Sequence, residues 1–311
     1  SEKAHGELQK ICTANIKNGI GKCTYTHMLN KDGGIETDLT VVCLDKNHFR
    51  IISSAATRER DKFHINKHLS KGVKLKDITD DYCVFGLFGP KSRNLIKTIS
   101  KDSFDNNDFK FGTAKYIEIE GIKIWAQRLS YVGELGYELY VKVNEAKKIY
   151  ELLIEKGKDF NLSNCGMHAM DIMRMESGFL HWGHDISPEE NQYQAGLTFT
   201  ISKKKEIDFI GKQALEKIKK EKIKSRFAMF TLKESKPGEP LLLHDEPIYL
   251  ENKIIGRSTS GNYSFNFKKN LTFGYINNDF SNEELKNKNL FIEVEKKKYP
   301  ISIQTEALKR T

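Results

Sequence analysis

Three stretches of this chain hold residues whose types and spacing suit chemistry. The first runs from Tyr25 to Val41 and holds Glu36 and Asp38 just past Lys31-Asp32-Gly33-Gly34. Strand side chains alternate faces, so Ile35, Leu39, Val41 and Cys43 share one side and Glu36 and Asp38 the other. A short acid held rigidly beside a cleft can orient a substrate or take up a proton. A solvated strand face would show the same pattern. The second stretch, Tyr131 to Tyr140, sets three tyrosines around Glu134 and Glu138, with Gly133 and Gly136 between them. Aromatic rings offer flat stacking surfaces, and a carboxylate can accept two parallel hydrogen bonds from adjacent N–H groups. A glycine-rich turn entering an aromatic strand is the plainer reading. The third stretch leads from Arg174 through Gly178 into His181-Trp182-Gly183-His184-Asp185. It reads as a pocket wall or as a plug over a helix end.

Other chemistries find little support. There is no G-x-G-x-x-G, no P-loop and no G-x-S-x-G, so dinucleotide binding by this chain is unsupported. His64/His68 and His181/His184 lack a nearby third ligand at metal spacing, so no metal site is expected. The five cysteines are scattered and odd in number, which suits reduced thiols in a cytosol or matrix. The net charge of +9 comes mainly from dispersed lysines, with nine arginines. The densest run, Lys217–Lys224, has helical spacing. Without a stripe of Arg or aromatic readers, nucleic acid is not an expected partner. A positive field would favour an anionic small molecule. No apolar run approaches the roughly 18–20 residues a membrane helix needs, so no membrane partner is expected. The chain opens at Ser1 and enters a helical pattern at Glu2–Cys12, which suggests a piece of a longer or processed polypeptide.

The elements that must position these residues are legible in part. Lys22–Asn30 and Ile35–Leu44 read as a hairpin about the Asp-Gly turn, followed by a strand at Phe49–Ser53 and a helix at Arg58–Leu69. A strand covers Tyr82–Gly86 and a helix follows from Lys91. Ile117–Ile119 and Ile122–Arg128 form a second hairpin about Glu120-Gly121, and Glu138–Val143 is a strand. Asn144 is placed to cap a helix through Lys156, with Gly157 as its stop. Ser163–Gly178 reads as a helix whose methionines at 167, 170, 173 and 175 belong to the core, and Phe209–Lys220 as a basic helix. Beyond residue 221 short β runs dominate: 226–232, 247–250, 253–258, 271–276, 290–294 and 298–303. The fold class is therefore α+β, a larger mixed domain over 1–220 followed by a small β-barrel over 221–311.

Taken in order, these stretches resemble the signature of the glycine-cleavage T-protein (aminomethyltransferase) superfamily. They read M-L-N-x-x-G-G-I-x-x-D-L, Y-x-G-E-x-G-Y-E, and R-x-E-x-G-x-x-x-x-G-x-D-I with P-x-E-x-x-x-x-A-G-L. Phe209–Leu215 is similar to the superfamily's F-x-G-K-x-A-L helix start, and Ile255–Gly261 to its G-x-x-T-S-G turn. His181-Trp182 and Tyr299-Pro300-Ile301 look more like the folate-binding half of sarcosine and dimethylglycine dehydrogenases. The resemblance implies an aminomethyltransferase-like domain binding tetrahydrofolate, with FAD only in an N-terminal part of the parent enzyme. Asp38 matches the superfamily's catalytic aspartate, Glu138 the glutamate that grips the pterin, and Tyr131 a pocket tyrosine. Ser54 stands where T-proteins usually have Asn, and Phe199 where a folate-contacting aromatic is found. Tyr25 joins them as a further cofactor-binding position. The implied reaction forms 5,10-methylenetetrahydrofolate from the iminium or formaldehyde product of an N-methylglycine dehydrogenase. The implied partners are the amine substrate, folate and the flavin domain of the same parent chain, in the cytoplasm or mitochondrial matrix. A glycine-cleavage T-protein and a non-catalytic regulatory module of the same fold are the alternatives, and retention of Asp38 and Glu138 argues against the second.

Overall fold

The computed structural model describes residues 2–308. Its contacts sort the chain into two compact units that interleave along the sequence. The first comprises Ser1–Thr26, Leu39–Gly166 and Lys204–Asp208, and the second His27–Asp38, Met167–Lys203 and Phe209–Thr311. Among the described residues no helix is long and apolar enough to cross a membrane.

The first unit opens with helix α1 (Ala4–Ile11). Strands β1 (Cys23–Leu29), β2 (Ile35–Asp45) and β3 (His48–Ser53) form a sheet in that order, of which the stretch His27–Asp38 counts with the second unit. Along β2, residues 35 to 41 alternate buried and half-buried, as the apolar/polar alternation predicts. Helix α2 (Arg58–His68) follows. Strand β4 (Tyr82–Phe88) and helix α3 (Ser92–Ile99) lead to the hairpin β5 (Ala114–Ile119) and β6 (Ile122–Gln127). Both turn residues, Glu120 and Gly121, take positive φ, the geometry a two-residue hairpin demands. Strand β7 (Gly136–Lys142) completes a sheet of order β4-β7-β6-β5, on which α3 and α4 (Val143–Gly157) pack. Its core joins Leu95, Ile96, Tyr137, Leu139, Val141, Ile149 and Leu153. Each such side chain contributes about 1.5–3 kcal/mol on burial.

Asn144 does not cap α4. The helix starts one residue before it, behind Lys142, and the Asn144 amide turns instead to the Glu145 carboxylate at 3.4 Å. The α-helix does end at Gly157, as expected, and a 3-10 turn then carries the chain on to Asn161, which takes the left-handed conformation.

The second unit holds helix α5 (Met167–Glu176), shorter than the expected Ser163–Gly178. Residues 163–166 lie outside any helix or strand, and the Asn164 amide donates to the Tyr150 hydroxyl at 2.7 Å. Of the methionine stripe, Met175 is buried but Met167 is 69% exposed, so the stripe is core only in part. Helix α6 (Lys212–Ile218) begins later than expected because Gly211 takes a φ of +82°. A Cβ there would come within 2.6 Å of the Asn30 carbonyl. Strands β8 (Arg226–Leu232), β9 (Pro247–Leu250), β10 (Lys253–Ser264) and β11 (Lys269–Ile276) precede the short helix α7 (Asn282–Leu285). Strands β12 (Leu290–Val294) and β13 (Lys297–Gln304) then close a six-stranded barrel of order β10-β11-β8-β13-β12-β9. The expected barrel is thus present, filled by Phe230, Leu232, Ile248, Leu290, Ile292 and Ile301. Strand β10 outruns its expected end at Ser258, because pairing with β11 resumes past a bulge between Ser258 and Ser260.

Candidate functional site

In the second unit, the turn between β1 and β2 sets the geometry around Asp38. The Asn30 carboxamide oxygen accepts from the Asp32 and Gly34 backbone N–H groups at 3.0 and 2.9 Å, closing an Asx turn. Gly34 is required there, since a Cβ would sit 1.9 Å from the Pro188 carbonyl oxygen. The pinned turn carries Asp38 on the half-buried face of β2, its side chain 18% exposed. Facing it is His27, fully buried on β1, with Nε2 at 3.6 Å from Asp38 Oδ1. That separation suits an ion pair, yet burial pushes the imidazole's pKa down to about 3, so His27 is neutral. On its other side, His27 Nδ1 lies 3.0 Å from Thr200 Oγ1, and Gln192 Nε2 lies 3.3 Å from the same nitrogen. Phe199, expected to contact a ligand, precedes Thr200 in the same 3-10 turn and is 74% exposed.

His27 is the residue that sequence reasoning passed over. No local pattern announced it, since its neighbours Thr200 and Gln192 approach from distant sequence.

The polar loop after α5 has a different character. Arg174, fully buried, donates from Nη1 to Asp185 Oδ2 at 2.5 Å and to the Phe179 carbonyl at 3.0 Å. It also donates from Nε to Asp171 at 2.9 Å and from Nη2 to Ser260 at 2.8 Å. Asp185 accepts in addition from the hydroxyls of Thr259 and Ser260, at 2.5 and 2.8 Å, and from the His181 N–H at 2.9 Å. Glu176 accepts from Ser264 Oγ at 2.5 Å and Asn266 Nδ2 at 2.9 Å. The R-x-E and D-I motifs of this loop, together with T-S-G, therefore fasten α5 to β10. Asp185 is a buried counter-ion and not a pocket wall. Trp182 follows suit, its indole N–H donating to the Ile35 carbonyl at 3.0 Å.

In the first unit, β7 places Glu138 half-buried beside Tyr140, whose hydroxyl donates to Oε2 at 2.9 Å. Burial raises the Glu138 carboxyl above its ordinary range, partly offset by that hydrogen bond. Tyr140 also borders an aromatic cluster: the Arg50 guanidinium lies 5.0 Å from the Tyr82 ring and 5.6 Å from those of Trp125 and Tyr140. A cavity of about 300 Å³ opens there, lined by Arg50, Ser53, Ser54, Tyr82 and Tyr140 among others. Ser54 thus shares a cavity with Tyr140, the partner of Glu138. Tyr131 is half-buried in the loop before β7, and Tyr25 lies on β1, 40% exposed.

The GCVT N-terminal domain family model matches residues 2–205, and the glycine cleavage T-protein C-terminal barrel domain matches 226–308. The chain belongs to the glycine-cleavage T-protein family. It is 33% identical over 276 residues to an aminomethyltransferase of Halothermothrix orenii, covering 88% of this chain and 74% of that protein. It is 32% identical over 266 residues to human mitochondrial dimethylglycine dehydrogenase, covering 85% of this chain and 30% of that protein. The chain spans about a third of the length of the dimethylglycine dehydrogenases it matches. Its fold is that of the glycine cleavage system aminomethyltransferase T from Bartonella henselae, with a TM-score of 0.83, 22% identity, and 99% of this chain and 82% of that one covered. Within this T-protein-type architecture the barrel is the family's C-terminal domain, and Asp38 and Glu138 both lie in the segment matched by its N-terminal domain.

Proposed function

We propose that this chain carries out folate-dependent one-carbon transfer, forming 5,10-methylenetetrahydrofolate from the iminium or formaldehyde product of an N-methylglycine dehydrogenase. The flavin of that parent enzyme, and the compartment, are those of the polypeptide to which the chain belongs. The observation that carries the reading is Asp38: a carboxylate held by a pinned turn against a buried, neutral imidazole. An acid kept for packing or solubility has no use for such surroundings. A base does, because it must take up a proton at a fixed point.

The residues present fit a reduced pterin. Glu138 is a carboxyl partly withdrawn from water and held on one oxygen by Tyr140. We assign it the aminopyrimidine edge, with Ser54, Tyr131, Tyr25 and Phe199 as further ligand-facing positions. Tetrahydrofolate supplies two nitrogens that accept the one-carbon unit. Asp38 takes the proton released as the new bond forms, and its fixed position spares the cost of finding the reacting atoms.

The test is methylenetetrahydrofolate formation from formaldehyde and tetrahydrofolate, with the uncatalysed condensation subtracted. Asp38→Asn should lower the net rate by about 10²–10⁴-fold while tetrahydrofolate affinity stays within about twofold. A variant that turns over like the parent sequence refutes the assignment of Asp38.

A second reading, a glycine-cleavage aminomethyltransferase, is favoured by coverage, since the chain accounts for 74% of the Halothermothrix orenii enzyme. Turnover with an aminomethylated lipoyl carrier, releasing ammonia, would select it over the formaldehyde reaction.

A further inference from the structure

The cavity of about 300 Å³ has a cation in its wall that the proposed chemistry does not use. All of its lining residues fall between Arg50 and Tyr140, within the first unit. Four of them are cationic: Arg50, Arg58, Lys62 and Lys76. Arg58 Nε lies 2.7 Å from Asp77, Lys62 Nζ 3.7 Å from the same acid, and Lys76 Nζ 4.0 Å from Asp81. The buried acid of this wall, Asp61, accepts from the Thr57 hydroxyl at 2.6 Å. Arg50 has rings for neighbours instead, Tyr82 at 5.0 Å and Trp125 and Tyr140 at 5.6 Å. Its Nε and Nη1 are buried and, among the described residues, find no hydrogen-bond partner. Ring faces attract the charge but offer no lone pair in the guanidinium plane. A buried donor without an acceptor is costly, and its persistence calls for a cause. Arg50 lines the cavity, so an acceptor can approach the guanidinium from there.

We propose that this cavity is a binding site for an organic carboxylate, with Arg50 as its anchor. A guanidinium presents one charge on a planar fork, which a carboxylate matches with two parallel hydrogen bonds. The rest of the wall favours a singly charged acid with an apolar body. Ile52, Ile65, Leu75 and Ile78 line it, and aliphatic side chains cannot replace the water shell of a phosphate dianion. Tyr82 and Tyr140 add ring surface on which a flat body packs. A volume of about 300 Å³ stands at the small end of ligand pockets, which span roughly 300–1,000 Å³. The acid has two possible sources: a free carboxylic acid, or the acidic end of a larger ligand held by the same unit. The site stands on the wall around Arg50 and not on the roles assigned to Asp38 and Glu138.

The experiment is a calorimetric titration of the whole chain with N-benzoylglycine and with N-benzoylglycinamide, which has the same body and no charge. The acid should bind about tenfold or more tightly than the amide. Arg50→Met should weaken the acid by on the order of 10–100-fold and leave the amide unchanged. Arg50→Lys keeps the charge without the fork, so its affinity should fall between the two. Arg50→Met takes an unpartnered charge out of the wall and should unfold in urea no earlier than the parent; were it not to fold, Arg50→Lys carries the test. Failure of the acid to bind, equal affinities for acid and amide, or an acid whose affinity ignores Arg50 would each overturn the proposal. A second titration separates the sources, using tetrahydrofolate and 6-methyltetrahydropterin, which lacks the acidic end. If Arg50→Met weakens only tetrahydrofolate of the two, the carboxylate is the folate's own. If it weakens neither and still weakens N-benzoylglycine, the site takes a separate acid. N-benzoylglycine contains no pterin and the titration involves no turnover, so the carboxylate site and the folate reading can fail independently.

Discussion

Asp38 and Asp185 are both acids of the second unit, both within family motifs, and they have opposite surroundings. Asp185 is fully buried and accepts from an arginine, two hydroxyls and a backbone N–H. Asp38 is partly open and faces a neutral histidine at 3.6 Å. An acid buried among donors has no face left for a substrate. Asp38 keeps part of its side chain open to solvent. Residue type and motif membership do not separate the two, whereas burial does.

The comparison can be attacked from its structural side first. Arg174→Met keeps the volume of the side chain but leaves Asp185 buried without its cation. Breaking a buried pair from one side costs about 3–5 kcal/mol, which urea unfolding would register as a lower midpoint at unchanged slope. A variant as stable as the parent would mean that Asp185 is not the counter-ion described.

Glu138 offers a sharper, smaller test. Its carboxyl is raised by burial, so the native state holds that proton more tightly than the unfolded chain does. The stability linked to this group is full at low pH and is lost as pH rises through the raised folded value. Glu138→Gln removes that loss and should leave the chain at least as stable at neutral pH. Tetrahydrofolate binding should weaken by about 1.5–3 kcal/mol, the usual cost of losing a charged hydrogen-bond partner. Thermal melts with and without tetrahydrofolate measure both. An undiminished ligand shift would remove Glu138 from the site.

The pH-linked effect at His27 is nil at neutrality and grows only toward acid pH. Its folded pKa, about 3, lies below the ordinary 6.5, so the unfolded chain binds a proton that the native state refuses. Stability from this group is full above about pH 6.5 and falls as pH drops toward 3. His27→Gln should flatten the acid limb of the stability curve by at most about 1.4 kcal/mol per pH unit. His64, lowered to about 4 by burial, shares that limb, as do His181 and the lowered carboxyls of Glu7, Asp105 and Glu283 among others. A limb of unchanged steepness would contradict the neutral, buried ring.

Much of the architecture was legible because it rests on periodicity. The alternation of β2, the Glu120-Gly121 hairpin and the strands of the barrel are local patterns with local causes. The Asp38 environment was legible only by half. Its strand face follows from the alternation, but the burial of His27 depends on Gln192 and Thr200, which approach from distant sequence. The loop at Asp185 misled for the same reason, since its partners Thr259 and Ser260 lie on β10. Helix ends were least legible. Asn144 has the chemistry of a cap, yet the chain enters α4 one residue too early to use it.

The interleaving of the two units has a consequence for how the chain reaches its fold. The second unit takes His27–Asp38 from near the start and the rest from Met167 onward, with all of Leu39–Gly166 between. Its early hairpin must wait, during synthesis or refolding, for partners made much later. Contacts of such long sequence separation slow folding, because a large loop is closed before the contact returns anything. Severed pieces are poor substitutes, since a barrel expressed without the early hairpin lacks Gly34 against Pro188 and the Ile35 carbonyl that holds Trp182. Circular permutants that join the early hairpin directly to the later segment should refold faster than the natural order of the chain.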